Sequence, residues 1–371
     1  MGILVGLPKN GDEEKDYQIN WGDPFGIQVE QREPFLPSEW HKQSGVQLTW
    51  PHAGTDWAHM LTEVQECFVA IAREIAKKEL LLIVAPDVNA VKAQISNRVN
   101  MENVRFFECE TNDTWARDHG AITMMDGSSP RLLDFCFNGW GQKFGAGLDN
   151  QITHKAYSAK CFNGEYENRL NFVLEGGSIE SDGLGTLLTT STCLLAPNRN
   201  DAMNKVEIEE YLRSVFHLQQ VLWLDYGYLA GDDTDSHVDT LARLCPNNTI
   251  VYVKCADTKD EHYEELTKME DQLRTFRTLA GESYRLLSLP MADCIIEDTE
   301  RLPATYANFL ILNESILYPT YNQPKNDAEA AEILAEAFPD KEIIGIDCRA
   351  LIKQHGSLHC VTMQYPEGVI K

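Results

Sequence analysis

Basic residues are scarce in this chain: 32 Lys and Arg stand against 57 Asp and Glu in 371 residues, a net charge of −25. That balance repels nucleic acid and anionic membrane surfaces while concentrating small cations, so the partner to expect is a small cation, with no nucleic acid and no membrane. Long hydrophobic runs are also missing, and none approaches the roughly 20 residues of a bilayer span. The opening MGILVGLPKNGDEEKDY has no basic region ahead of its short apolar run, and acids follow at once. It does not read as a secretory signal, and a cytoplasmic location is expected. Paired C-x-x-C motifs are absent as well; ten cysteines are scattered without a tight framework, which indicates neither a zinc ribbon nor a disulfide scaffold. They read as buried thiols in a reducing compartment.

What is present is a core-forming composition, 43% hydrophobic, and a repeated plan. Residues 1–40 are polar, contain Pro and Gly and lack periodicity, so they read as an N-terminal extension that packs on the surface or is partly mobile. Order is expected to begin near Val46, with 41–371 forming a single domain. Met60, Val64, Phe68, Ile71 and Ile75 recur at helical spacing and predict a helix from about Trp57 to Lys78, followed by the strand LLLIVAP. Three more helix-then-strand units follow: NKVEIEEYLRSVF to VLWLD, DEHYEELTKMEDQLRTF to YRLLSLP, and NDAEAAEILAEAF to EIIGID. Strand–turn–strand segments precede them, giving an α/β protein built from a strand-strand-helix-strand unit that recurs every 55 to 70 residues or so. The last unit stops soon after Cys360, and GVQLTW near the N-terminus is the segment to complete it, closing a ring with no open edge.

Polar residues recur where these units begin. Asp118 stands just before the first strand, beside Trp115 and Arg117; a carboxylate next to an aromatic can grip a guanidinium by paired hydrogen bonds and cation–π contact. Glu175 ends an apolar run, and the two glycines after it remove side-chain bulk so that backbone or ligand can come close. In GDDTDSHVDT, strand alternation would put His237 and Asp239 on one face. H-x-D could also ligate zinc or iron, although no second histidine stands nearby. Cys360 is singled out by its place in the repeat as an activatable thiol. His359 would point away from Cys360 in a strand and receives no role. Three carboxylates, an imidazole and a thiol meeting in one pocket would suit a flat cation attacked at carbon. The same acids and aromatics would serve a non-catalytic polyamine-binding protein, and a Cys–His pair would serve an amide hydrolase.

TNDTWARDHGA, FNGWG, VLEGGSIESDG, GDDTDSHVDTLARL, RLPATYANFL and HGSLHCVTMQ resemble the corresponding blocks of the agmatine deiminases, within the guanidino-group-modifying (pentein) superfamily. The resemblance runs from about Leu48 to Gln364. It implies a five-bladed, pseudo-symmetric α/β propeller of ββαβ units around a central pocket, and a hydrolase that converts agmatine to N-carbamoylputrescine and ammonia without metal or organic cofactor. By the same likeness Cys360 is the nucleophile, His237 the proton carrier, Glu175 its carboxylate partner, and Asp118 and Asp239 the guanidinium holders. Trp115 and Asp235 are expected in substrate binding, with Trp57 and Trp140 as further pocket walls. Two carboxylates close to His237 are expected to raise its pKa. A homodimer is what the resemblance suggests for assembly. Free arginine and peptidyl-arginine are the alternative substrates.

Overall fold

Each helix expected from apolar spacing is present in the computed structural model, which describes residues 34–371. A 3-10 turn, Asp56–Met60, leads into the helix Leu61–Ala76, whose face of Val64, Phe68, Ile71 and Ile75 is buried. The others are Lys205–Phe216, Tyr263–Leu273 and Pro324–Ala337. Local chemistry sets their ends. Asn204 caps the second helix, accepting from the backbone of Val206 and Glu207, while the Glu207 carboxylate returns a bond to the Asn204 N–H; that reciprocal pair satisfies donors the helix start leaves open. His217 stops it in the left-handed conformation.

Besides the small hairpin Ile296–Glu297/Glu300–Arg301, the strands of the described residues form five sheets of one plan, in which an antiparallel pair is extended by a parallel strand reached through a connection over the sheet. Three-stranded sheets are built from Ile122–Asp126, Ser129–Cys136 and Glu165–Val173; from Ile179–Ser181, Thr186–Thr190 and Gln220–Leu224; from Ala242–Cys245, Thr249–Lys254 and Arg285–Pro290; and from Leu310–Ile311, Ser315–Thr320 and Glu342–Asp347. In the fifth, Thr362–Pro366 pairs antiparallel with Gln43–Thr49, which runs parallel to Leu80–Ala85 and on to Val104–Glu108. The segment GVQLTW thus completes the last unit, as its sequence suggested.

Residues 1–33, most of the expected extension, lie outside the described residues. Order is already present before Val46: Phe35 pairs with Met125, Leu36 is buried, and Val46 lies inside a strand. Two apolar clusters lie between sheets and helices, one around Phe68, Ile71, Leu310 and Leu351, the other around Leu133, Phe172 and Leu212. Trp50 meets Phe68 edge-on at 5.6 Å, so Phe68→Ala would remove both burial and a ring contact, at a cost of about 3–5 kcal/mol. All ten cysteines are free thiols, seven of them buried. Among the described residues no helix is long and apolar enough to cross a membrane.

Candidate active site

The turn ahead of each sheet's first strand carries a polar side chain. Asp118 lies in the helical turn Ala116–His119, Glu175 caps the 3-10 turn Gly176–Ser178, His237 and Asp239 belong to the turn Val238–Thr240, Asn308 precedes Leu310, and Cys360 precedes Thr362. His237 and Asp239 are therefore not in a strand, and alternation is not what brings them together. Gly177 locates the convergence: a Cβ built there would come within 2.6 Å of His237 Nδ1, 3.0 Å of Asp118 Oδ1 and 3.1 Å of Asp239 Oδ2. Only glycine leaves room for three side chains arriving from two other turns.

Asp118 is buried and held at both oxygens, Oδ2 accepting from Trp140 Nε1 at 2.9 Å and Oδ1 from the Gly177 N–H at 3.1 Å. Burial, with Asp239 and Glu175 nearby, pushes its carboxyl well above the usual range. Trp140 reaches it from an uncommon backbone, with φ 54° between Gly139 and Gly141 at φ 70° and 78°; a left-handed bulky residue is strained, and the chain keeps it where the indole N–H holds a carboxylate. Asp239 is held below its usual range although burial opposes this, because His359 bonds it through Nδ1 at 2.7 Å and adds favourable charge. Among the described residues, its Oδ1 is buried without a hydrogen-bond partner, as are both ring nitrogens of His237.

His237 Nδ1 lies 3.7 Å from Asp118 Oδ1. The expected rise in its pKa is reversed: burial pushes the imidazole down to about 3, and Arg199 and Lys143 add to that push against Asp239 and Asp235. Desolvation of a charged ring outweighs two carboxylates that face other partners. Cys360 is buried, its Sγ 3.3 Å from Asn308 Oδ1, and its carbonyl accepts from the N–H of Arg117 at 3.2 Å. Burial and then the charges of Asp239 and Asp118 hold the thiol well above its ordinary pKa.

Glu175 faces Arg199, which donates from Nε to both carboxylate oxygens at 3.0 and 3.2 Å. Burial still lifts the Glu175 pKa against that guanidinium. The same arginine bonds Asp235 at 2.6 Å and the Thr234 carbonyl at 2.9 Å, and Lys143 meets Asp235 at 2.9 Å. Asp235 and Ser236 are both left-handed, φ 67° and 61°; Arg199 pins this strained loop where it hands over to His237. Asp235 is thus engaged by two cations. Trp115 packs on the Cys360 loop, leaving no space for a Cβ at Gly356, which would sit 2.1 Å from its ring. Trp57 and Trp140 flank it at ring-centre distances of 5.7 and 6.0 Å.

Sequence reasoning passed over Asn308, Arg199 and His359. The first stands in the one repeat opening that had no acid or thiol to draw the eye. Arg199 follows a helical turn with no pattern of its own, and the placement of His359 assumed a strand where the chain turns. Glu175, Cys193 and His237 could in principle hold a metal, their candidate atoms lying within 4.8 Å of one another, as could Glu39, Glu180 and His359. Buried guanidiniums already supply the countercharge in both groups, Arg199 in the first and Arg243 in the second. A cation would have to enter beside them, so these donors do not fit a metal.

A family model for the Porphyromonas-type peptidyl-arginine deiminases matches residues 35–366. The chain is 32% identical over 360 residues to an agmatine deiminase of Pseudomonas putida, covering 90% of this chain and 96% of the relative. A solved structure from Porphyromonas gingivalis, provisionally named an arginine deiminase, is 50% identical, with a TM-score of 0.86 over 91% of this chain and 100% of its own. An agmatine deiminase of C. jejuni, solved with a Cys-to-Ser substitution and substrate bound, is 38% identical, with a TM-score of 0.84 and coverage of 90% and 97%. The match takes in every polar group described above, and the chain belongs to the Porphyromonas-type peptidyl-arginine deiminase family.

Proposed function

We propose that this protein is an agmatine deiminase, a hydrolase that replaces an imino nitrogen of the guanidinium by oxygen and releases ammonia. One observation carries the reading: two buried carboxylates, Asp118 and Asp239, lie near enough to a buried thiol for their charges to act on it, and Asp239 Oδ1 has no hydrogen-bond donor among the described residues. Buried acids ask for a cation, and a planar guanidinium meets two carboxylates along two edges. The five like sheets support a pseudo-fivefold ring of blades with this pocket on its axis, forming a single catalytic domain.

Cys360 is the nucleophile in this reading. Its thiol is neutral in the free protein, and the arriving guanidinium offsets the two acids that keep it so. The thiol proton passes to neutral His237 as sulfur attacks the guanidinium carbon, and the imidazolium gives that proton to the departing ammonia. The result is a thiouronium on Cys360 carrying the substrate's positive charge. Neutral His237 then takes a proton from water as the oxygen bonds to carbon; that proton returns to sulfur as the C–S bond breaks, and the remaining O–H proton, with the positive charge, passes to the released ammonia or to solvent, leaving a neutral ureido group. A low His237 pKa serves this cycle because the ring begins as a base. Glu175 acts with Arg199 to fix the His237 loop, and Trp115 walls the pocket.

Agmatine is favoured over free arginine because an α-carboxylate needs its own cation. Arg199 is occupied through Nε and both terminal nitrogens, Lys143 by Asp235, and Arg117 and Arg243 by Glu39. Relatives bearing the agmatine deiminase name support the same choice. The family description favours a second reading, peptidyl-arginine as substrate. Assay of ureido product and ammonia from agmatine, arginine and a blocked arginyl peptide tests both: turnover of agmatine well above the others is expected, and turnover of the peptide alone would overturn the proposal.

A further inference from the structure

Asp239 owes its low pKa to His359, and His359 is itself held from behind. Its Nδ1 lies 2.7 Å from Asp239 Oδ2, while Nε2 lies 2.8 and 3.0 Å from the two oxygens of Glu39. The ring thus sits between two carboxylates, one facing each nitrogen, and any proton it carries is shared with one of them. Glu39 belongs to the segment ahead of the first strand, in the stretch that composition marked as extension. Its other partners are Arg117, at 3.1 Å, and Arg243, whose guanidinium also lies 3.1 Å from His359 Nε2 and bonds Glu180 and the carbonyls of Ala307 and Phe309. Arg117 adjoins Asp118 in the chain, and its N–H bonds the carbonyl of Cys360; His359 adjoins Cys360. One carboxylate therefore gathers side chains next to the nucleophile and next to one substrate-holding acid, and reaches the other through a single imidazole.

We propose that Glu39 is a positioning residue for this reaction: through His359 it fixes the orientation and charge of Asp239, making the segment before the first strand part of the machinery that holds the guanidinium. The inference rests on the deiminase reading and adds to it. Glu39 touches no reacting atom. Burial holds the His359 ring below its ordinary pKa, and the charges of Arg117 and Arg243 push the same way; Glu39 and Asp239 are the two groups that oppose them and favour the protonated form. Loss of the Glu39 charge removes one of the two groups that oppose this push and frees the ring from its contact at Nε2, so Asp239 meets a ring that is less firmly placed and holds a proton less readily.

The test uses the full-length protein with Glu39→Gln, Glu39→Asp and His359→Asn, alone and combined. Glu39→Gln is expected to fold, by circular dichroism, and to lower kcat/KM for agmatine by about 10- to 100-fold, chiefly through KM. Glu39→Asp keeps the charge for the arginines, and recovers part of that loss. Combining Glu39→Gln with His359→Asn should cost no more than His359→Asn alone, since both remove one chain of contacts. Wild-type kinetics in every folded Glu39 variant, or losses that multiply in the combination, would overturn the proposal. Should Glu39→Gln not fold, the KM of Glu39→Asp decides by the same criterion. The wild-type assay keeps this separate from the deiminase reading. If the wild type turns over no guanidino compound, that reading fails, and the NMR titration of the His359 ring still decides here. Its midpoint should fall by at least one pH unit in Glu39→Gln, and an unchanged midpoint would refute the link.

Discussion

Adding one methyl group at Gly177 is the sharpest test of the site. The new Cβ would lie 2.6 Å from His237 Nδ1, 3.0 Å from Asp118 Oδ1 and 3.1 Å from Asp239 Oδ2. Carbon and nitrogen prefer separations near 3.5 Å, so the imidazole must retreat by roughly an ångström, or the carboxylates by several tenths. Misplacement on that scale costs about 100-fold in rate, or about 2.7 kcal/mol of transition-state stabilisation. Gly177 has no left-handed backbone that a side chain would strain, and overpacking of this kind destabilises by about 1–3 kcal/mol. Gly177→Ala should therefore fold, melt modestly lower and lose at least 100-fold in kcat/KM for agmatine. Gly147→Ala is the control, because nothing lies within 4 Å of its added Cβ; it should retain activity. Ammonia release followed by a coupled assay, with thermal melts of both variants, makes the comparison. A folded Gly177→Ala protein with wild-type kinetics would refute the convergence of these three side chains in catalysis.

Cys360→Ser should retain agmatine binding within a few fold by calorimetry while turnover falls to background; measurable steady-state turnover would remove sulfur from its role. Arg199→Met leaves Glu175 buried without its guanidinium, so it should destabilise the fold by about 3–5 kcal/mol in urea titration, and a loss under 1 kcal/mol would show that the pair is not what pins the loop. Glu79 is lifted to about 7 by burial, ahead of the opposing bonds from Asn313 and Gln43. Between its ordinary value of 4.5 and about 7 the folded protein binds more protons than the unfolded chain, so this group's contribution is fully present below that window and is lost as pH rises through it. Glu79→Gln should therefore gain on the wild type from pH 5 to pH 8 by something on the order of 2–3 kcal/mol, measured as the difference between unfolding free energies. A pH-independent difference would contradict the assigned protonation.

Much of this site could be read from the chain because each functional group stands at an equivalent point of a repeat. Asp118, Glu175, His237, Asp239 and Cys360 announce themselves by where apolar runs begin and end, and helices such as Pro324–Ala337 follow from spacing alone. What could not be read is the geometry of the turns. Period-two alternation was applied to His237 and His359, yet both lie in turns, where successive side chains do not take opposite faces. That assumption gave the right neighbours for His237 by the wrong route and set His359 aside. Glu39 and Arg199 are invisible for another reason: their importance comes wholly from tertiary burial beside charges far away in the chain, and composition treats such residues as surface. The expected direction of the His237 pKa failed because carboxylates can be counted in a sequence but desolvation cannot.

The pairing of Gln43–Thr49 with Thr362–Pro366 joins partners as far apart as Gln43 and Pro366, 323 residues from one another along the chain. Contacts of such separation form late, because the entropy of closing so long a loop must be met before the pairing repays it. Cys360, the proposed nucleophile, sits two residues before that last strand. A partly folded molecule, even one with four sheets already assembled, therefore holds its acids and imidazole without a correctly placed sulfur. In the deiminase reading, the attack on carbon thus depends on the last pairing of the fold, and truncating or unpairing the Thr362–Pro366 strand should abolish turnover before it disturbs the other sheets.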